Sequence, residues 1–147
     1  MSQSWLAQSV SSAFLEAFRR CDPLSDSSNA SKYMMAFPAI VCAAFSAEVG
    51  LKTMLARIGR AAKGHDLRAL YLKLPGEVKY AVFEATGLSM EEFAAQLAHS
   101  RLAFSEWRYI YEENREMSIN VNFLGKFASA VELVSLAQMS AASQETP

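Results

Sequence analysis

Apolar residues recur every three or four positions along most of this chain, and the breaks between those runs mark out a series of helices. Leu6, Val10, Phe14 and Phe18 fall at steps of four, with Trp5 widening the stripe. An amphipathic helix is therefore expected from about Ser4 to Arg20, with that face inward. Asp22-Pro23 and the run from Ser25 to Asn29 are turn-forming and polar, and predict an exposed loop. Pro38 is tolerated in the first turn of the next helix, where an amide hydrogen is not needed. From Ile40 to Ile58 nearly every turn is apolar, including Val41, Phe45, Val49, Leu51 and Leu55, so this segment should be the central core helix. Within it Glu48 and Lys52 are four apart, as in a solvated helix-surface pair contributing about 0.3–0.5 kcal/mol.

Gly64 interrupts the pattern, and a short helix is expected from about Asp66 to Leu74 behind a His65-Asp66 pair able to cap it. Its inward residues are Leu67, Leu70, Tyr71 and Leu74, and Pro75-Gly76 ends it. A second short helix should cover Glu77 to Ala85, stopped by Gly87. Ser89 and Glu92 have the spacing of a capping box and predict a long helix through about Glu112, with Phe93, Leu97, Phe104, Trp107 and Tyr111 on one face. Asn114 to Asn122 reads as a connection. The last helix should run from Asn122 to Met139 on Leu124, Phe127, Val131 and Val134, before a frayed tail. No alternating strand, Asn-Gly hairpin or internal repeat appears. The fold class expected is all-α: an antiparallel bundle of four main helices with one or two short extra helices. Residues 1–31 then form an N-terminal helix and polar loop packed on the domain, 32–139 the bundle and 140–147 a flexible tail.

Composition narrows the function classes. At 147 residues the chain has the size of one domain, and 52% hydrophobic against 20% charged residues is enough apolar material for a packed core. With 14 Lys+Arg against 15 Asp+Glu there is no global basic field, so any nucleic-acid contact must come from local clustering. Cys21 and Cys42 lack metal-ligand spacing and have only two histidines beside them, so no metal is expected and Cys42 should pack as a small hydrophobe. The longest apolar run, Phe37 to Phe45, is too short to span a bilayer, and no charged segment precedes an apolar block at the N-terminus. The expectation is a cytoplasmic protein with no membrane contact. No glycine-rich phosphate loop is present, and no cofactor is expected.

Ala47-Glu48-Val49-Gly50-Leu51-Lys52, Gly64-His65-Asp66-Leu67, Trp107-Arg108-Tyr109 and Tyr111-Glu112 together resemble the HEPN superfamily of small helical-bundle proteins, over roughly residues 32 to 139. The resemblance implies long antiparallel helices, a homodimer, and a role in toxin–antitoxin pairs, phage defence or RNA handling. Some members of that superfamily are metal-independent ribonucleases, and many are not enzymes. Their catalytic branch is marked by an arginine followed four to six residues later by a histidine, a count that Arg60 and His65 satisfy. A histidine near its ordinary pKa can move a proton at a ribose hydroxyl or leaving oxygen, while an arginine fork holds the phosphate.

This chain departs from the catalytic pattern in its details. The pair sits at the bend after the central helix rather than beside the last core helix, Ala61 stands where a polar residue is common, and no histidine follows His99. Arg108 with Tyr111, on a segment that interleaves aromatic and charged residues, is the better candidate for a groove or dimer seam, and Lys63 joins them as a candidate RNA contact. Lys52, Arg57, Arg60, Lys63 and Arg68 could line a modest basic edge. The expected function is thus a HEPN-like domain acting by dimerisation and by binding a protein partner or RNA. The alternatives are a metal-independent endoribonuclease using His65 with Arg60, or a composite site including Arg108, and a plain helical adaptor without nucleic-acid contact.

Overall fold

Two serines set the pairing of the first helices in the computed structural model, which describes residues 2–21 and 35–145. Ser11 lies in α1 (Gln3–Arg20) and Ser46 in α2 (Ala36–Arg57). The Ser11 hydroxyl donates to the Ser46 carbonyl at 2.9 Å and the Ser46 hydroxyl donates to the Ser11 carbonyl at 2.8 Å, both buried. Such reciprocal bonds satisfy both hydroxyls without water and draw the two backbones together. Gly50, one turn further along α2, completes the close approach. A Cβ placed there would stand 2.5 Å from Val131 Cγ1 and 3.1 Å from Ser11 Oγ. Val131 belongs to α7 (Val121–Gln144), so α1, α2 and α7 meet at this glycine. Gly125 of α7 likewise leaves room for the Phe18 ring, which a Cβ would approach to 2.6 Å.

Arg57 ties the same three helices together at the far end of α2. Its guanidinium donates to the Ser135 carbonyl at 2.8 Å and hydroxyl at 3.0 Å, to Gln8 Oε1 at 3.2 Å and to Ser4 Oγ at 3.2 Å. Burial pulls its pKa below the ordinary arginine value. These contacts fix the directions. α1 runs antiparallel to both α2 and α7, while α2 and α7, which meet at Gly50–Val131 and again at Arg57–Ser135, run the same way.

The inward face of α1 keeps Phe18 of the predicted stripe but otherwise shifts away from it. Gln8, Ser11, Leu15 and Phe18 are buried, whereas Leu6 is 55% and Trp5 46% exposed. Close approach at Ser46 and Gly50 admits small hydrogen-bonding side chains and has no room for a row of large ones. The polar loop expected after Cys21 lies outside the described residues.

The short helices build the other side of the core. They are α3 (Leu67–Leu72), α4 (Gly76–Thr86), α5 (Met90–His99) and α6 (Ala103–Arg108), followed by a single 3₁₀ turn (Ile110–Glu112). Leu67, Leu70, Tyr71 and Leu74 are all buried, as the spacing predicts, and the Tyr71 ring meets Phe93 and Phe127 edge-on. Burial raises the Tyr71 pKa, and its hydroxyl donates to the Lys79 carbonyl at 2.8 Å. Ser89 caps α5 through the Glu92 amide at 3.2 Å, in agreement with the capping signature. The expected long helix from Ser89 to Glu112 is nevertheless divided at Ser100–Leu102. In a continuous helix the Arg101 carbonyl would accept from Ser105, four residues on. Here it accepts the Leu67 amide at 2.8 Å instead, so the start of α3 is satisfied at the expense of the α5–α6 junction.

α7 extends to Gln144, five residues beyond its expected end at Met139. The fold class is all-α, with no strand among the described residues and the helices packed as a bundle. α2 is long and apolar enough by length and composition to cross a membrane, which the run from Phe37 to Phe45 alone did not suggest. Two thirds of its apolar window is buried inside the bundle, the place expected of a core helix. Cys21 and Cys42 are free, half-buried thiols packed against the core, and burial raises the pKa of both.

Gly50→Ala should destabilise the protein by about 1–3 kcal/mol despite the higher helix propensity of alanine, because Val131 is fully buried and stiff at χ1. Urea titration checks this, and Val131→Ala in the same chain should recover part of the loss by removing the methyl group that the new Cβ strikes.

Candidate functional site

The bend between α2 and α3 is organised by one buried carboxylate. Glu48 is 2% exposed, although it lies in the most apolar helix of the chain, and its place there was expected to be a solvated surface. Lys52 Nζ stands 2.7 Å from Glu48 Oε1. His65 Nδ1 stands 3.0 Å from each carboxylate oxygen. An ionised carboxylate only accepts, so the His65 Nδ1–H is the donor and Nε2 is left as the free ring nitrogen. A carboxylate buried with one ammonium and one imidazole ties the centre of α2 to the residue two positions ahead of α3.

Each neighbour in Gly64-His65-Asp66-Leu67 has a separate task. Gly64 takes a positive φ of 85°, which a side chain would oppose, and turns the chain back toward α2. Asp66 Oδ1 accepts the Ala69 amide at 2.9 Å as the N-cap of α3, and its other oxygen pairs with Arg101. Leu67 is fully buried and donates its amide to Arg101. Together these residues form a clasp that joins α2, α3 and the α5–α6 break.

Arg60 and His65 are not brought together by this bend. The Arg60 guanidinium donates to the Lys73 carbonyl at the C-terminal end of α3, where a cation complements the helix dipole. His65 lies two residues ahead of the opposite end of that helix, where Glu48 holds it. Lys63 is exposed. Lys52 serves Glu48 and Arg57 serves the helix junction, so the basic edge read from the sequence is divided among separate structural contacts.

Arg108, by contrast, does approach His65 through an intermediate ring. The His65 and Phe104 ring centroids are 5.4 Å apart, and the Arg108 guanidinium carbon lies 4.7 Å from the Phe104 centroid. Arg108 is also 4.6 Å from the Tyr109 ring, so its cation is held between two aromatic faces. Tyr111, expected on the inward stripe, is 76% exposed because the helix ends at Arg108; its ring meets Tyr109 edge-on at 6.3 Å. The adjacent Glu112 carboxylate raises its pKa. Among the described residues no three His, Cys, Asp or Glu side chains group closely enough to hold a metal ion.

No family model, curated protein or solved structure matches this chain. The site is therefore read from its own chemistry. A His65 ring oriented by Glu48, with Nε2 free and about half of the side chain exposed, can accept or deliver a proton at the surface. Arg108 offers a cation and flat aromatic surfaces beside it. Sequence reasoning missed Glu48 as the centre of this cluster and Phe104 as the ring between His65 and Arg108. The available signal was an acid set among Ala44, Ala47 and Leu51 of a core helix.

Glu48→Gln should cost about 1.5–3 kcal/mol, because charge-assisted hydrogen bonds to Lys52 and His65 are lost together. Asp66→Ala should cost about 1 kcal/mol through loss of the cap. Chemical denaturation measures both, and an Arg60→Ala control, which leaves the Glu48 contacts in place, should not reproduce the Glu48→Gln loss.

Proposed function

We propose that this chain is a HEPN-like helical domain that works in the cytoplasm by self-association and by binding a protein partner or RNA, as one component of a toxin–antitoxin or phage-defence pair. The observation that carries the reading is the aromatic edge after α6. Tyr109 and Tyr111 are 44% and 76% exposed and meet edge-on, with Arg108 stacked against Tyr109, which gathers large rings and a cation facing solvent. Tyrosine and arginine are the side chains that most often anchor interfaces, because they bury much area at small entropic cost. The signature that prompted the reading serves the fold: Glu48, Lys52, His65, Asp66 and Leu67 are engaged in the clasp. Sedimentation equilibrium at micromolar protein should give the mass of two copies, with Tyr111→Asp giving one. A wild-type monomer across that range would remove self-association from the reading.

One arrangement favours a second reading, a metal-independent endoribonuclease. The imidazole of His65 is backed by a buried carboxylate and shares the Phe104 ring with Arg108, so the composite pair replaces the Arg60–His65 pair expected from spacing. His65 would act as proton carrier and Arg108 as phosphate holder. Single-stranded and structured RNA incubated in chelator should then be cut by the wild type and not by His65→Ala or Arg108→Ala. Cleavage that survives both changes, or no cleavage at all, sinks the enzyme and leaves the binding domain.

A further inference from the structure

A long groove lies between α4 and the second half of α7, on ground the proposed site does not use. Its volume is about 630 Å³, and its walls are Val78, Ala81 and Ala85 from α4 with Leu133, Val134 and Ala137 from α7. Leu133 is 62% exposed, although leucine so placed at the lip of an apolar groove gains nothing from water. The alanines on both walls leave space for a backbone to come close, and the valines and Leu133 give it something to grip. That is the shape into which an amphipathic helix lays its apolar face.

Charge decides which helix. Among the described residues the ionisable side chains lining the groove are Glu77 and Glu84, both exposed and seven residues apart on α4, which is about 10.5 Å along its axis. A second copy seated by its own α7 would not answer them. Beyond Lys126 that helix has no Lys or Arg, and its Glu132 is paired with Arg19 of α1, so a second copy brings no cation to Glu77 and Glu84.

We infer that this groove receives an α-helix from another protein, apolar along one face and carrying two Lys or Arg side chains two turns apart that meet Glu77 and Glu84. The inference rests on the partner-binding half of the reading above and names the surface and the chemistry of that partner. It is separate from the Tyr109–Tyr111 edge.

The test uses the full chain and two synthetic helical peptides with the same Leu/Ala face. One carries Lys at positions i and i+7 of the flank, the other Glu at both. Fluorescence titration should show binding of the Lys peptide alone, weakening as salt rises. Glu77→Lys with Glu84→Lys should reduce that binding roughly tenfold and restore the Glu peptide. Leu133→Asp should abolish it with the fold intact by circular dichroism. Tyr111→Asp, which acts on self-association, should leave it unchanged; if it abolishes peptide binding, the aromatic edge and not the groove is the partner site. Binding of both peptides alike, of neither, or of the Lys peptide without effect from the groove changes overturns the inference. Loss of self-association in Leu133→Asp also overturns it, because the groove would then be filled by a second copy.

Discussion

The bundle depends on the absence of a side chain at Gly50. With a hydrogen there, Val131 of α7 and Ser11 of α1 can both reach the backbone of α2, and three long helices share one contact. The consequences spread along the seam. Ser11 and Ser46 come near enough to exchange hydroxyl–carbonyl bonds, Phe18 lies over Gly125, and the last residue of α2, Arg57, arrives where Ser4, Gln8 and Ser135 can all accept from it. Neutral acceptors hold that arginine, which is possible because the guanidinium spreads its charge over several donors and keeps part of its edge in water.

A second constraint, the buried Glu48, organises the half of the molecule that the long helices do not. Burying a carboxylate is costly unless its oxygens are filled, and Lys52 and His65 fill them. Because His65 is drawn back to α2, Asp66 stands at the start of α3 and Leu67 presents its amide to Arg101. That bond removes Arg101 from its own helix. After the break, α6 sets Phe104 against His65 with Arg108 over the Phe104 ring, and its end at Arg108 leaves Tyr109 and Tyr111 exposed.

Local signals were legible where the cause was local. Asp66 and Ser89 each cap the helix that follows, because a cap is a contact between residues three apart. The inward residues of α3, and Leu124, Phe127 and Val131 of α7, fall on the spacing that predicts them. The reading failed where a distant partner changed the meaning of a residue. Leu6 and Trp5 look inward by periodicity, yet α1 turns its serine and glutamine face to α2. Glu48 and Lys52 have the spacing of a surface pair, yet the carboxylate is buried. Tyr111 lies on the stripe of a single expected helix, which is instead divided at Ser100–Leu102 and ends at Arg108, before Tyr111.

Periodicity, capping and glycine act over a few residues, so the sequence is enough to show that the chain is helical, where most helices begin, and that Arg60, His65 and Asp66 share one bend. Packing alone sets which face of α1 is buried, that α2 and α7 run in the same direction, that Arg60 and His65 hold different partners, and that His65 and Arg108 both lie against the Phe104 ring. Those outcomes depend on how closely backbones approach and which buried polar groups must be satisfied, and both are set by residues far apart along the chain.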